Sequence, residues 1–125
     1  MLKDKPAVAT VAVRDLERGR EFYGGVLGLE ELGERNSEVA TFRSGASQLM
    51  VYRSELAGTN QATAVNWQVG GEVDAIAAAL ASKGVPFERY EFEGVVHDGP
   101  VHVIGDFRTA WFRDPDGNIL SLVSD

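Results

Sequence analysis

The chain has 125 residues and sets 12 Lys and Arg against 19 Asp and Glu, a net charge of −7 with a pI near 4.8. At 44% hydrophobic and 25% charged it reads as one globular domain spanning 1–125, long enough to bury roughly two thirds of its unfolded surface and too apolar for disorder. It has no cysteine, which excludes disulfides, thiolate zinc sites and cysteine nucleophiles, and its acidity makes nucleic acid and anionic membranes poor partners while weakly favouring a cationic ligand. Nothing reads as a targeting signal: Met1–Pro6 lacks an apolar stretch and the longest apolar run is Ala75–Ala81, so the cytoplasm is the expected compartment.

The first element is a strand over Val8–Val13, β-branched and roughly alternating. Asp15 then caps a helix whose Leu16, Phe22, Tyr23, Val26 and Leu27 share one face, with Gly28 ending it. Gly19, Gly24 and Gly25 lower its intrinsic propensity, so packing must hold it. Strand-like pieces follow at Glu30–Arg35, Val39–Arg43 and Gln48–Tyr52, the last two joined by a turn at Gly45-Ala46-Ser47.

The order then repeats. Thr63–Val69 reads as a strand broken by Gly70-Gly71, and Val73, Ile76, Ala77 and Leu80 form a helical stripe closed by Gly84 with Pro86 beyond. Phe87–Phe92 is a further strand. Thr109–Arg113 and Asn118–Val123 form a hairpin on Asp114-Pro115-Asp116-Gly117, where proline presets φ and glycine supplies a positive one. Gly94–Asp106 reads as a polar connection without a counterpart in the first half. The pattern predicts an α+β fold of two βαβββ units, pseudo-repeats at about 7–53 and 62–124, with a ligand cavity between two small mixed sheets.

Two stretches carry a family resemblance. One is Val11-Ala12-Val13-Arg14-Asp15-Leu16 running into Phe22-Tyr23 and Val26-Leu27-Gly28-Leu29; the other is Ala110 to Leu120 around Asp114-Pro115-Asp116-Gly117. In this order they resemble the vicinal oxygen chelate superfamily of glyoxalase I, extradiol dioxygenases, fosfomycin thiol transferases and bleomycin-resistance proteins. The resemblance implies paired βαβββ units, a homodimer, and in the family's enzymes a divalent metal held by His and Glu from strands lining the cavity. Carried over, those ligand positions fall on Val8, on or next to Met50, near Ala64, and on Ser121. Val, Met and Ala offer no hard donor and a neutral Ser hydroxyl is a weak one, so the expectation is no metal and no cofactor.

Alternation along the strands selects the candidate ligand contacts. Thr109, Trp111 and Arg113 point to the cavity while Phe112 faces the helix layer; Asn66 and Gln68 point the same way, and Trp67 joins the core with Val65 and Val69. Thr10, Met50, Tyr52 and Ser121 complete the set beside Ala12. Trp111 offers a stacking face or, more plainly, serves the core or a dimer interface. His97 and His102, with His102 a candidate contact, are expected as exposed loop histidines, since no third ligand accompanies them. Asp114-x-Asp116-x-Asn118 has the start of a calcium loop, but Gly117 stands at the wrong place, so it is a turn. Neither phosphate-binding glycines nor a serine with its His and carboxylate partners are recognisable.

Neutral hydrogen-bonding and soft apolar groups suit holding a ligand rather than breaking bonds. The leading expectation is a metal-free homodimer that binds a small organic molecule, in the manner of bleomycin-resistance-type proteins that sequester an antibiotic or other bulky ligand. The alternative is a glyoxalase- or dioxygenase-like lyase or isomerase with an atypical or absent metal, for which His97, His102, Glu91 and Arg113 are the available acids and bases. A third reading is a regulatory domain whose cavity is vestigial.

Overall fold

The computed structural model describes residues 1–125 and shows an α+β chain of two compact units, Met1–Ala57 and Gly58–Asp125. In the first, strand β1 (Ala9–Val13) leads into helix α1 (Leu16–Arg20), then strands β2 (Glu30–Leu32), β3 (Val39–Ser44) and β4 (Ser47–Arg53). They form one sheet in the order β1-β4-β3-β2, with β1 parallel to β4 and the other pairs antiparallel. Val11, Val13, Ala40, Phe42, Leu49 and Val51 are buried, while Thr10, Met50 and Tyr52 alternate onto the other face.

Asp15 caps α1 as its sequence position implies, its carboxylate accepting the Glu17 and Arg18 backbone N–H groups at 3.0 and 3.3 Å. The helix is not α throughout. Over Glu21–Val26 it widens into a π-turn, with the Leu27 N–H donating to the Phe22 carbonyl at 2.8 Å. The wider turn lets the consecutive Phe22 and Tyr23 both enter the core, edge to face at 5.1 Å, and leaves Val26 and Leu27 only half-buried. Glycine at position 19 permits a close approach to the sheet, since a Cβ there would meet Val13 Cγ2 at 3.2 Å. Buried Arg20 then ties helix to sheet edge, donating to Glu17 (2.6 Å), Glu31 (3.0 Å) and the Asn36 carbonyl (2.8 Å).

The second unit comprises β5 (Thr63–Gln68), α2 (Val73–Ser82), β6 (Phe87–Glu88), β7 (Val96–Asp98), β8 (Val101–Ile104), β9 (Phe107–Arg113) and β10 (Ile119–Val123). Its sheet runs β5-β10-β9-β8-β7, with β5 parallel to β10 and β6 also paired to β9. The expected helical stripe buries Val73, Ala77 and Leu80, with Ile76 half-buried. Beneath it lie Ala110, Phe112, Leu120 and Leu122, and Trp67 stacks on Phe112 at 6.3 Å. Arg108 clamps the unit by donating to both carboxylate oxygens of Asp74 on α2 and to Asp98 on β7.

Two expectations are corrected in this unit. The strand expected over Phe87–Phe92 pairs only at Phe87 and Glu88, after which the chain leaves the sheet. The connection expected over Gly94–Asp106 is a hairpin, β7 against β8, that extends the sheet by two strands. Asp98-Gly99-Pro100 makes its turn, and the flanking valines supply the pairing residues.

The hairpin turn between β9 and β10 is built around Asp114, whose buried carboxylate accepts the Asp116 and Asn118 N–H groups at 2.9 Å each and the Asn118 amide at 2.7 Å. The Asn118 amide oxygen in turn accepts the Gly58 N–H at 3.3 Å. At Gly58, φ is +73° and a Cβ would overlap the Asp116 carbonyl oxygen. Gly58→Ala is therefore expected to destabilise by about 2–4 kcal/mol, left-handed strain adding to overpacking. Gly25→Ala, with open space around it, is the control expected to stay within about 1 kcal/mol; urea unfolding of both variants checks the pair.

Candidate functional site

The face of the second sheet opposite α2 is assembled in two cross-strand rows. Asn66, Ser121, Trp111 and Glu88 stand side by side on β5, β10, β9 and β6. Gln68, Val123, Thr109, His102 and His97 form the next row across β5, β10, β9, β8 and β7. This face bears a concavity of about 390 Å³ whose lining includes Ala64, Asn66, Phe107, Thr109, Trp111 and Ser121. The remaining lining residues are Thr63, Val65 and Val123, so no group in the wall titrates near neutral pH.

Of the residues selected by alternation, the structure brings together Asn66, Thr109, Trp111 and Ser121 in that wall. The Thr109 hydroxyl is buried without a hydrogen-bond partner, sealed from the concavity that its residue helps to line. Gln68 is exposed at the end of its row. Arg113 lies on the same face outside the lining, its guanidinium committed to the Glu88 carboxylate and, at 3.1 Å, to the Gly117 carbonyl. Thr10, Met50 and Tyr52 lie on the first unit's sheet, where Thr10 pairs with Met50 and Ala12 with Tyr52 on the face away from α1.

The histidines are not the exposed loop pair expected. They face each other across β7 and β8, ring centroids 4.9 Å apart, with His97 mostly covered and His102 1% exposed. His102 is boxed by Tyr90, by Phe92 lying parallel to it, and by Trp111 edge-on at 4.9 Å. Its Nε2 accepts the Tyr90 N–H at 2.9 Å, which places the neutral ring's proton on Nδ1. Nδ1 itself makes no bond of good geometry. Burial first, and then the neighbouring His97, push the His102 pKa below the ordinary histidine value, against a smaller opposing pull from the Pro100 carbonyl. Valines at 95, 96, 101 and 103 around the Asp-Gly-Pro turn were the available sign that this stretch pairs as strands and buries a histidine.

Residues 5–122 match the profile of the Glyoxalase/Bleomycin resistance protein/Dioxygenase superfamily. The chain belongs to that superfamily. Among solved structures it is similar to a lactoylglutathione lyase from Agrobacterium tumefaciens, at 18% identity and TM-score 0.72 over 98% of this chain and 95% of that one. It is also similar to the fosfomycin resistance protein FosX from Mesorhizobium loti, at 18% identity and TM-score 0.71 over 100% and 94%. A point mutant of the Listeria monocytogenes FosX, in a complex with Mn(II) and 1S,2S-dihydroxypropylphosphonic acid, matches at 19% identity and TM-score 0.74 over 99% and 91%. These identities speak for the fold alone. No curated protein matches the sequence.

A divalent metal needs oxygen or imidazole donors, and at the positions where the resemblance implies them this chain carries other side chains. Val8 and Met50 in the first unit, and Ala64 and Ser121 in the second, present hydrocarbon, thioether, methyl and a neutral hydroxyl. Nowhere in the chain do three His, Asp or Glu side chains gather in a way that could hold a metal ion. One consequence is testable without any ligand: Thr109→Val removes a buried, unpaired hydroxyl at constant shape. It is expected to leave stability unchanged or raise it by about 1 kcal/mol, where losing a bonded hydroxyl would lower it; thermal unfolding reads the sign.

Proposed function

We propose that this protein binds an uncharged, partly planar organic molecule on the concave face of its second sheet, without a metal and without chemical turnover. The observation that supports this is the wall itself: an indole face, an amide and three hydroxyl side chains, with no acid, base or free charge among them. Trp111 supplies a stacking surface, while Asn66 and Ser121 supply hydrogen bonds that orient a neutral ligand. The lyase or isomerase alternative needs a proton carrier in the wall. Glu91 is exposed, Arg113 is bound to Glu88, and His102 is enclosed by aromatic rings.

The same wall argues against a phosphonate such as the one in the Listeria FosX complex. A dianion would need cations, and Arg108 and Arg113, the two arginines of β9, are already paired with carboxylates. Sequestration of a bulky uncharged antibiotic is the form of binding that fits a site with contacts but no chemistry, and a homodimer is part of this reading. Light scattering on the purified protein checks the dimer: twice the 13.5 kDa chain mass supports it, and a monomer mass removes it.

A thermal-shift panel tests the ligand class. A neutral aromatic or polyketide-like compound at about 100 times its Kd should add about 2.7 kcal/mol, a rise of roughly 5–15 °C. Fosfomycin, with or without Mn(II), should shift nothing. For any compound that binds, Trp111→Ala should weaken affinity by about ten-fold, the worth of one aromatic contact, as read by calorimetry. A fosfomycin shift that appears only with Mn(II) contradicts the proposal.

A further inference from the structure

Beyond β6 the chain crosses the aromatic corner of the second sheet as an exposed segment, Arg89–Glu93, in which only Tyr90 is half-buried. No sheet ladder holds it, since β6 stops at Glu88. Two histidine side chains fasten it instead. The Tyr90 N–H donates to His102 Nε2 at 2.9 Å, and the Tyr90 carbonyl meets His97 Nε2 at 3.0 Å. Fastened in this way, the Tyr90 ring lies edge-on to Trp111 at 5.0 Å and Phe92 covers His102. We propose that Arg89–Glu93 is a flap over Trp111, latched by His102 in its neutral form and released when that ring takes up a second proton.

The latch works through hydrogen-bond polarity. His102 can accept from Tyr90 only while Nε2 is bare; once protonated, Nε2 carries a hydrogen and two donors confront each other across 2.9 Å. The cation would also be buried among Tyr90, Phe92 and Trp111, with His97 at 4.9 Å. Each element packed against the ring contributes to the balance. His97 on β7 and Arg89 in the flap oppose a charge there, whereas Glu91 in the flap and the Pro100 carbonyl in the β7–β8 turn favour it. Thr109 and Trp111 on β9 carry none.

The direction follows from proton counting. The latched form holds His102 below its ordinary pKa, so it binds fewer protons than the released form. The latch is at full strength above the ordinary histidine value of about 6.5 and weakens as pH falls below it. At pH 5.5, one unit below that value, release should be favoured more than at neutrality, by at most about ten-fold. For the ligand reading above, on which this clause rests, acid would loosen the flap beside the stacking face.

Hydrogen exchange followed by NMR on the full chain, without ligand, tests the latch. The Tyr90 amide, corrected for intrinsic rates, should lose protection between pH 7.5 and 5.5, by up to about ten-fold, while Phe112 and Leu122 keep theirs. In His102→Gln, which keeps an acceptor but cannot titrate, Tyr90 protection should not change with pH. Should that variant fail to fold, the wild-type ring still decides. An Nδ1–H tautomer at pH 7.5, with a titration midpoint matching the loss of Tyr90 protection, supports the latch. Flat Tyr90 protection in the wild type, a drop that persists in His102→Gln, or an Nε2–H tautomer overturns it. Since no ligand is present, failure here is distinct from failure of the binding proposal.

Discussion

Strand β9 is the constraint on which the second unit depends. It pairs with β10 along one side, and along the other it is shared between β8 at its start and β6 at its end. With both edges committed, its side chains can only alternate between two faces. Ala110 and Phe112 are therefore forced under α2, and Thr109 and Trp111 onto the opposite surface. The neighbouring rows inherit that phase through the register, which sets Ser121 and Asn66 beside Trp111 and His102 beside Thr109. A slip of one residue would bury the polar row and expose Phe112, so the core packing and the chemistry of the concavity share one determinant.

That determinant limits what the superfamily fold does here. Structures with names as different as a lactoylglutathione lyase and a fosfomycin resistance protein share this architecture with the chain, and activity on such a fold lies in the side chains its strands carry inward. In this chain the inward groups of β5, β9 and β10 are amide, hydroxyl and indole. Their charged neighbours are spent on structure: Arg108 on two aspartates, Arg113 on Glu88, Asp114 on its own turn. On the proposed reading such a surface serves affinity, since none of its lining side chains titrates near neutral pH.

Much of this was legible in the sequence because it is local. Asp15 as a cap, Asp114-Pro115-Asp116-Gly117 as a turn and the phase of residues 109–113 each rest on neighbours within a few positions, and each appears as read. Where the reading departed from the structure, a distant partner decided. The strand after Phe87 ends early because Tyr90 finds histidine side chains in place of a ladder. The β7–β8 hairpin hides behind His, Asp, Gly and Pro, and pairing with β9 is what orders it. The π-turn in α1 answers the demand to bury Phe22 and Tyr23 together, which a 3.6-residue pattern does not express. The burial of His102 depends on Phe92 and Trp111 arriving from opposite directions in the chain, so spacing alone misplaced it as a surface residue.

The central claim is that binding here is carried by neutral groups and needs no metal. Native mass spectrometry of the protein as purified, before any chelator and again after exposure to manganese, iron, nickel and zinc, tests it most directly. The account predicts a mass free of bound metal that none of the four ions changes, with any co-purifying adduct being organic and uncharged. One divalent ion retained per chain would contradict it.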